Sequence, residues 1–156
     1  MIIRTARFAD RSAITDVLLH SGVFGRSDAD CVDDMFTETW LHPRQDSYQW
    51  LVAAEDDVVQ GFACLGPESL TKHTWDLFWI CLRTDVRGRG VGRMLITEAV
   101  QRAAAAGGKV MVIYTSSNPG YAPARRLYAG AGFTVTSEVP DYYDDGDHLL
   151  IFWRRL

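Results

Sequence analysis

Val86-Arg87-Gly88-Arg89-Gly90-Val91-Gly92-Arg93-Met94 stands between a strand-like run, Thr74 to Arg83, and a helix-like run from Gly90 to about Ala106. Glycines at three alternate positions remove the side chains that would hold a backbone away from an anion, so successive N–H groups can converge on the same phosphate oxygens. A helix starting near Gly90 adds the positive end of its dipole, and Arg87, Arg89 and Arg93 add full charges. The stretch reads as a pyrophosphate cradle. It is not a P-loop, because the lysine and hydroxyl of G-x-x-x-x-G-K-[ST] are missing. Nor is it the dinucleotide fingerprint: Arg93 stands where the last glycine of G-x-G-x-x-G belongs, and the segment lies in mid-chain rather than after a first strand.

The chain has 156 residues, 47% of them hydrophobic and 12% aromatic, which suits one domain spanning 1–156 with its own core and argues against disorder. Its net charge of −4 makes the arginine cluster a local positive patch on an acidic protein. That favours a small anionic ligand over nucleic acid. Cys31, Cys64 and Cys81 lack C-x-x-C spacing and read as core thiols, and the four histidines suit no metal motif, so no metal is expected. The chain enters directly into alternating Ile3, Thr5 and Arg7, and no apolar span reaches the roughly 20 residues of a membrane helix. The location expected is cytoplasmic, with no membrane partner.

Residues 1–7 read as a strand, followed by a helix capped by Asp10 or Ser12 and stopped at Gly22. A second helix over 28–41 carries Cys31, Met35, Phe36 and Trp40 as its apolar stripe. Residues 48–55 and 58–65 flank Asp56-Asp57 as a hairpin, and a third strand follows over 74–83. The helix over 90–106 ends at Gly107-Gly108, and strand 109–115 comes next. Strand, glycine turn, helix and strand make a right-handed crossover. A helix over 122–130 and a hairpin of 132–139 with 147–156 complete the chain.

Arg87, Gly90 and Gly92 form R-x-x-G-x-G, which resembles the pyrophosphate signature of the GCN5-related N-acetyltransferase (GNAT) family. Downstream, Ala124-Arg125-Arg126-Leu127-Tyr128-Ala129-Gly130-Ala131-Gly132-Phe133 resembles that family's A-x-x-L-Y-x-x-x-G-F segment. The element order resembles the family end to end, most closely its uncharacterised small-molecule-type members. The resemblance implies an α/β (α+β) GNAT acyl-CoA acyltransferase fold: a mixed, mostly antiparallel split sheet of about seven strands with about four helices on its faces. It also implies acetyl-CoA as acyl donor, lying where the fourth and fifth strands part.

By motif alignment, Ile80, Cys81 and Leu82 are then the backbone contacts to pantetheine. Gly88, Arg89, Gly90, Val91, Gly92 and Arg93 give the diphosphate its N–H groups, with Arg87 and Arg93 as charge partners. Asn118 or Tyr121 touches the pantetheine or adenine end, although relatives place an asparagine where this chain has Tyr121. Arg125 reaches the 3′-phosphate. Tyr128 matches the family's general acid, a phenol that stays protonated at neutral pH and can give its proton to a leaving thiolate. Many relatives carry a glutamate base on the fifth strand where this chain has Tyr114. Asp76 is the first substitute, with Glu55 and Asp141 behind it, and an ordered water is the other route.

Acceptor recognition is expected from Phe24, Trp75 and Trp79 and from the last hairpin. There Asp141, Tyr142 and Tyr143 with Asp144, Asp145 and Asp147 form an acidic aromatic patch suited to a cationic amine, or a plain solvated turn. The function implied is acetyl-CoA-dependent N-acetylation of a primary amine of a small molecule, amino acid or peptide by direct attack in a ternary complex. The alternative is a non-catalytic acyl-CoA-binding sensor, which the missing fifth-strand glutamate keeps open. The exposed sheet edge leaves a homodimer open as well.

Overall fold

Asp56 and Asp57, both with positive φ (50° and 64°), turn the chain back on itself, and from this hairpin the sheet grows outward. The computed structural model describes residues 1–43 and 48–156. Strands β1 (Ile2–Thr5), β2 (Gln49–Glu55), β3 (Val58–Pro67), β4 (Thr74–Leu82), β5 (Val110–Ser116), β6 (Thr134–Asp144) and β7 (Asp147–Arg155) form one sheet in the order β1-β2-β3-β4-β5-β7-β6. Helices α1 (Arg11–Leu19), α2 (Arg26–Leu41), α3 (Val91–Ala105) and α4 (Ala122–Gly130) cover it. None of the described helices is long and apolar enough to cross a membrane.

Every strand pair is antiparallel except β4 with β5, which run parallel on either side of the α3 crossover. That pair holds over only Thr74–Val110, Trp75–Met111 and Asp76–Val112. Beyond it β4 stays on β3 as far as Leu82, and β5 stays on β7 as far as Ser116. The two strands therefore part, and one edge of β4 is left without a sheet partner from Leu77 onward.

Two apolar layers sandwich the sheet. Leu95, Ile96, Ala99 and Ala103 of α3, with Tyr128 of α4, pack on Leu51, Ala63, Leu65, Trp75, Leu77, Met111 and Ile113. Ile14, Val17 and Leu18 of α1 and Ala29, Val32 and Phe36 of α2 pack on Trp50, Val52, Phe62, Cys64 and Cys81 of the opposite face. A bulge decides which β4 residues join which layer. Cys64 faces Trp79 but Leu65 faces Leu77, so Phe78 is an extra residue on β4. Trp75 and Leu77 point toward α3, whereas Trp79 and Cys81 point toward α1 and α2.

Several expectations shift. Asp10 does not cap α1; its carboxylate accepts from Arg4 Nη1 and Nη2 (2.7 and 2.9 Å) and from the Arg7 N–H (2.6 Å). The Arg4 guanidinium holds that carboxyl below its ordinary range. α2 starts at Arg26 and buries the face of Ala29, Val32 and Phe36, which leaves Cys31 exposed rather than a core thiol and Trp40 43% exposed. β6 runs on to Asp144, and all eleven of its residues are exposed.

Gly108 ends the α3 crossover because nothing larger fits. A Cβ there would stand 2.6 Å from Trp75 Cδ1 and 2.7 Å from the Ala103 carbonyl oxygen, and the carbonyl cannot swing away. Gly108→Ala is expected to cost about 2 kcal/mol by overpacking, a fall in Tm of roughly 6 °C at this chain length. Thermal unfolding followed by circular dichroism measures it, and a Tm within a degree of the parent would contradict it.

Candidate active site

The gap between β4 and β5 opens into a cleft of about 760 Å³. Its walls come from β4 (Phe78 to Leu82), β5 (Tyr114 to Ser116), the turn into α3 (Arg87, Gly88, Gly90 to Arg93), α4 and the α1–α2 connection. Because the cleft passes through the sheet, one mouth lies on the α3/α4 face and the other on the α1/α2 face.

At the α3 mouth the backbone is open to an anion. Gly88 and Gly90 have φ of 77° and 79°, and neither has an atom within 4 Å of where a Cβ would stand. Gly90 is the N-cap of α3 and offers no side-chain cap, so the first-turn N–H groups of Val91, Gly92 and Arg93, all on the cleft wall, have no helical acceptor. Gly92 also allows close approach: a Cβ there would meet Leu127 Cδ2 at 3.0 Å. The Arg89 N–H is spent on the Val86 carbonyl, and its guanidinium turns out to Glu55 (3.1 Å), so Arg89 lies off the wall. Arg87 lines the cleft while donating from Nη2 to the Ser21 carbonyl.

In the middle stand Cys81 and Tyr128. Tyr128 is the buried side chain of α4, its ring edge-on to Phe152 (centroids 5.5 Å apart), and burial raises its phenol well above the ordinary tyrosine range. Cys81 points its thiol at the Val17 carbonyl (3.8 Å), and burial pushes it up to about 11.

Asp76 sits at the root of the gap, in the last β4–β5 pair, but off the cleft wall. It is 3% exposed, and its Oδ1 has no hydrogen-bond partner. Burial first, then the adjacent Glu68 carboxyl, raise the Asp76 carboxyl to about 8. Strand alternation places Val112, its pair partner, and Tyr114 on one face of β5. Burial first, then the nearby Asp76 and Glu68 carboxylates, push up the Tyr114 phenol, which does line the cleft.

At the α1/α2 mouth, Phe24 meets Trp79 and Tyr121 edge-on (5.5 and 5.9 Å), and Tyr143 lies on the same wall. Asp28 and Asp147 stand among these rings.

The remaining expected residues lie elsewhere. The bulge at Phe78 turns Trp75 into the α3 core, so it does not share a pocket with Trp79. The Asn118 side chain caps the next turn by accepting from the Gly120 N–H (2.9 Å). Arg125 donates to the carbonyls of Ser116 and Asn118 (2.7 and 2.8 Å), tying down the loop instead of presenting a free cation. Asp141 accepts from the Gly146 N–H (2.8 Å) at the hairpin tip, and Tyr142 is 59% exposed beyond Tyr143. Asp28 reached the wall without having been singled out in the sequence. Its position near the start of a helix reads as a cap, and it does cap, accepting from the Gly25 N–H (2.8 Å).

A model of the acetyltransferase (GNAT) family matches residues 17–133. This chain belongs to the GNAT family. It is 31% identical to the L-methionine sulfoximine/L-methionine sulfone acetyltransferase of Salmonella typhimurium, over 90% of this chain and 84% of that one. A GNAT-family structure from Desulfovibrio desulfuricans superposes with a TM-score of 0.94 at 31% identity, over 99% of this chain and 98% of that one. A Salmonella typhimurium structure solved with acetyl-CoA as its cofactor does so with a TM-score of 0.79 at 27% identity, over all of this chain and 94% of that one. This chain is an N-acetyltransferase.

Proposed function

We propose that this GNAT enzyme transfers the acetyl group of acetyl-CoA directly to the primary amine of a small molecule, both substrates being bound together in the cleft. The observation that carries the donor side is the conjunction at the α3 mouth. Two positive-φ glycines, the open first-turn N–H groups of α3 and the unpaired edge of β4 form one continuous backbone surface. The chain thus offers an anion cradle and, adjoining it, a strand edge that an amide-bearing pantetheine arm can pair with.

Acetyl-CoA supplies a thioester whose C–S bond breaks as the C–N bond to the amine forms. The amine arrives as an ammonium, and one of its protons passes to Asp76, whose raised carboxyl is matched to proton transfer near neutral pH. Tyr114, which lines the cleft where Asp76 does not, offers a hydroxyl for the relay. Tyr128 gives its proton to the departing sulfur and regains one from the nitrogen, which sheds its second proton as the amide forms, while β4 main-chain N–H groups near Leu82 hold the thioester oxygen. Cys81 favours this direct route over an acyl-enzyme, since a buried thiol pushed up to about 11 and directed at a carbonyl is a poor nucleophile.

Incubation with acetyl-CoA and a broad amine panel, followed by thiol release and product mass, tests the reading. CoA and an N-acetyl product are expected in equal amounts. Calorimetric binding of acetyl-CoA with no product from any amine would overturn it in favour of a sensor.

A further inference from the structure

Resting on the acetyl-transfer reading above, we propose that the acceptor is a cationic primary amine with an aromatic or apolar body and no carboxylate. It would be seated among Phe24, Trp79, Tyr121 and Tyr143, between Asp28 and Asp147. The α1/α2 mouth is aromatic on several sides, and ring faces attract an ammonium while accepting an apolar body. Two carboxylates reach it from separate elements, Asp28 from the first turn of α2 and Asp147 from the start of β7. Both are held in place through one oxygen. Asp28 Oδ2 accepts from the Gly25 N–H, and Asp147 Oδ1 accepts from the Ser116 hydroxyl and the Asn118 N–H (3.2 Å).

Among the described residues, the wall carries two cations: Arg93, in the first turn of α3 at the donor mouth, and Arg87, whose guanidinium reaches across to the α1–α2 connection, where two carboxylates outnumber it. Arg87 is partly committed to Ser21. The Tyr121 phenol registers the local balance, raised by burial, by Asp28 and by Asp147 with no arginine opposing them. An ammonium entering here meets complementary charge, whereas the carboxylate of an α-amino acid meets two of its own sign. This separates the chain from its Salmonella relative, whose acceptor, L-methionine sulfoximine, is an amino acid.

The test compares kcat/KM for phenethylamine, L-phenylalanine amide and L-phenylalanine at saturating acetyl-CoA. The amine and the amide are expected to exceed the amino acid by about 30-fold, the scale of a partly screened like-charge penalty. Asp28→Asn and Asp147→Asn should each narrow that ratio by about threefold, mainly through KM for the amine. The ratio is internal to each preparation, so a partly unfolded variant still reports it. L-Phenylalanine used as well as its amide would overturn this inference and leave acetyl transfer standing. So would turnover of other panel amines but none of these three, or a ratio unmoved in both variants. Acetyl-CoA binding with no turnover of any amine would overturn both readings.

Discussion

Tyr128→Phe is expected to slow CoA release by about 10³-fold while acetyl-CoA binds as tightly as to the parent, the loss being that of one positioned general acid. The ring remains, so its edge contact with Phe152 and its place in the α3/α4 core remain too. Only the hydroxyl goes, and burial keeps that hydroxyl protonated well beyond neutral pH. Without it, the thiolate must leave unprotonated or take a proton from water. Single-turnover kinetics with calorimetry separate the two effects. A kcat within tenfold of the parent would remove Tyr128 from the role of acid, and a fall in acetyl-CoA affinity of similar size would make it a binding residue.

Asp76→Asn is expected to lower kcat/KM by about 10² to 10³ at pH 8. A base must be ionised to accept a proton, so the parent's rate should rise with pH through an apparent value of about 8, the level to which burial and Glu68 lift this carboxyl. The variant should lose that limb and keep only the titration of the amine itself. Stability provides a second readout, independent of turnover. The carboxyl titrates near 3.8 in the open chain and near 8 in the fold, so between those values the folded chain holds a proton that the unfolded chain has released. Stability from this group is complete below 3.8 and declines as pH rises through about 8. Melting temperature should therefore slope downward across that range in the parent and flatten in Asp76→Asn, whose amide can still donate to Glu68. Parallel slopes in the two proteins would show that Asp76 is not the raised group.

Much of this molecule is readable one residue at a time. Alternation, turn pairs such as Asp56-Asp57 and the glycines at 88, 90 and 92 are local signals, and local backbone geometry answers to them. The element order and the donor cradle were legible for that reason. The side chains were harder. Arg89 and Arg125 look alike in sequence as cations near a phosphate site, yet Glu55 draws one outward, and the Ser116 and Asn118 carbonyls tie the other into a loop. Their partners lie 34 residues away in the one case and within nine in the other, and nothing in a local motif distinguishes them. Asp28 escaped notice because helix-capping and cleft-lining both suit a carboxylate at that place.

Sequence by itself determined that a glycine-rich turn joins a strand to a helix, and that a tyrosine follows at the spacing of a second motif. Those two facts name the family and the donor. Only the tertiary structure decided which face each β4 side chain takes. Trp75 and Trp79 are four residues apart, and a regular strand would put both on one side. The extra residue at Phe78 breaks that parity, sending one indole into the α3 core and the other toward the acceptor mouth. A bulge depends on how two strands pair, so the physical reason lies in the β3–β4 register rather than in either strand alone.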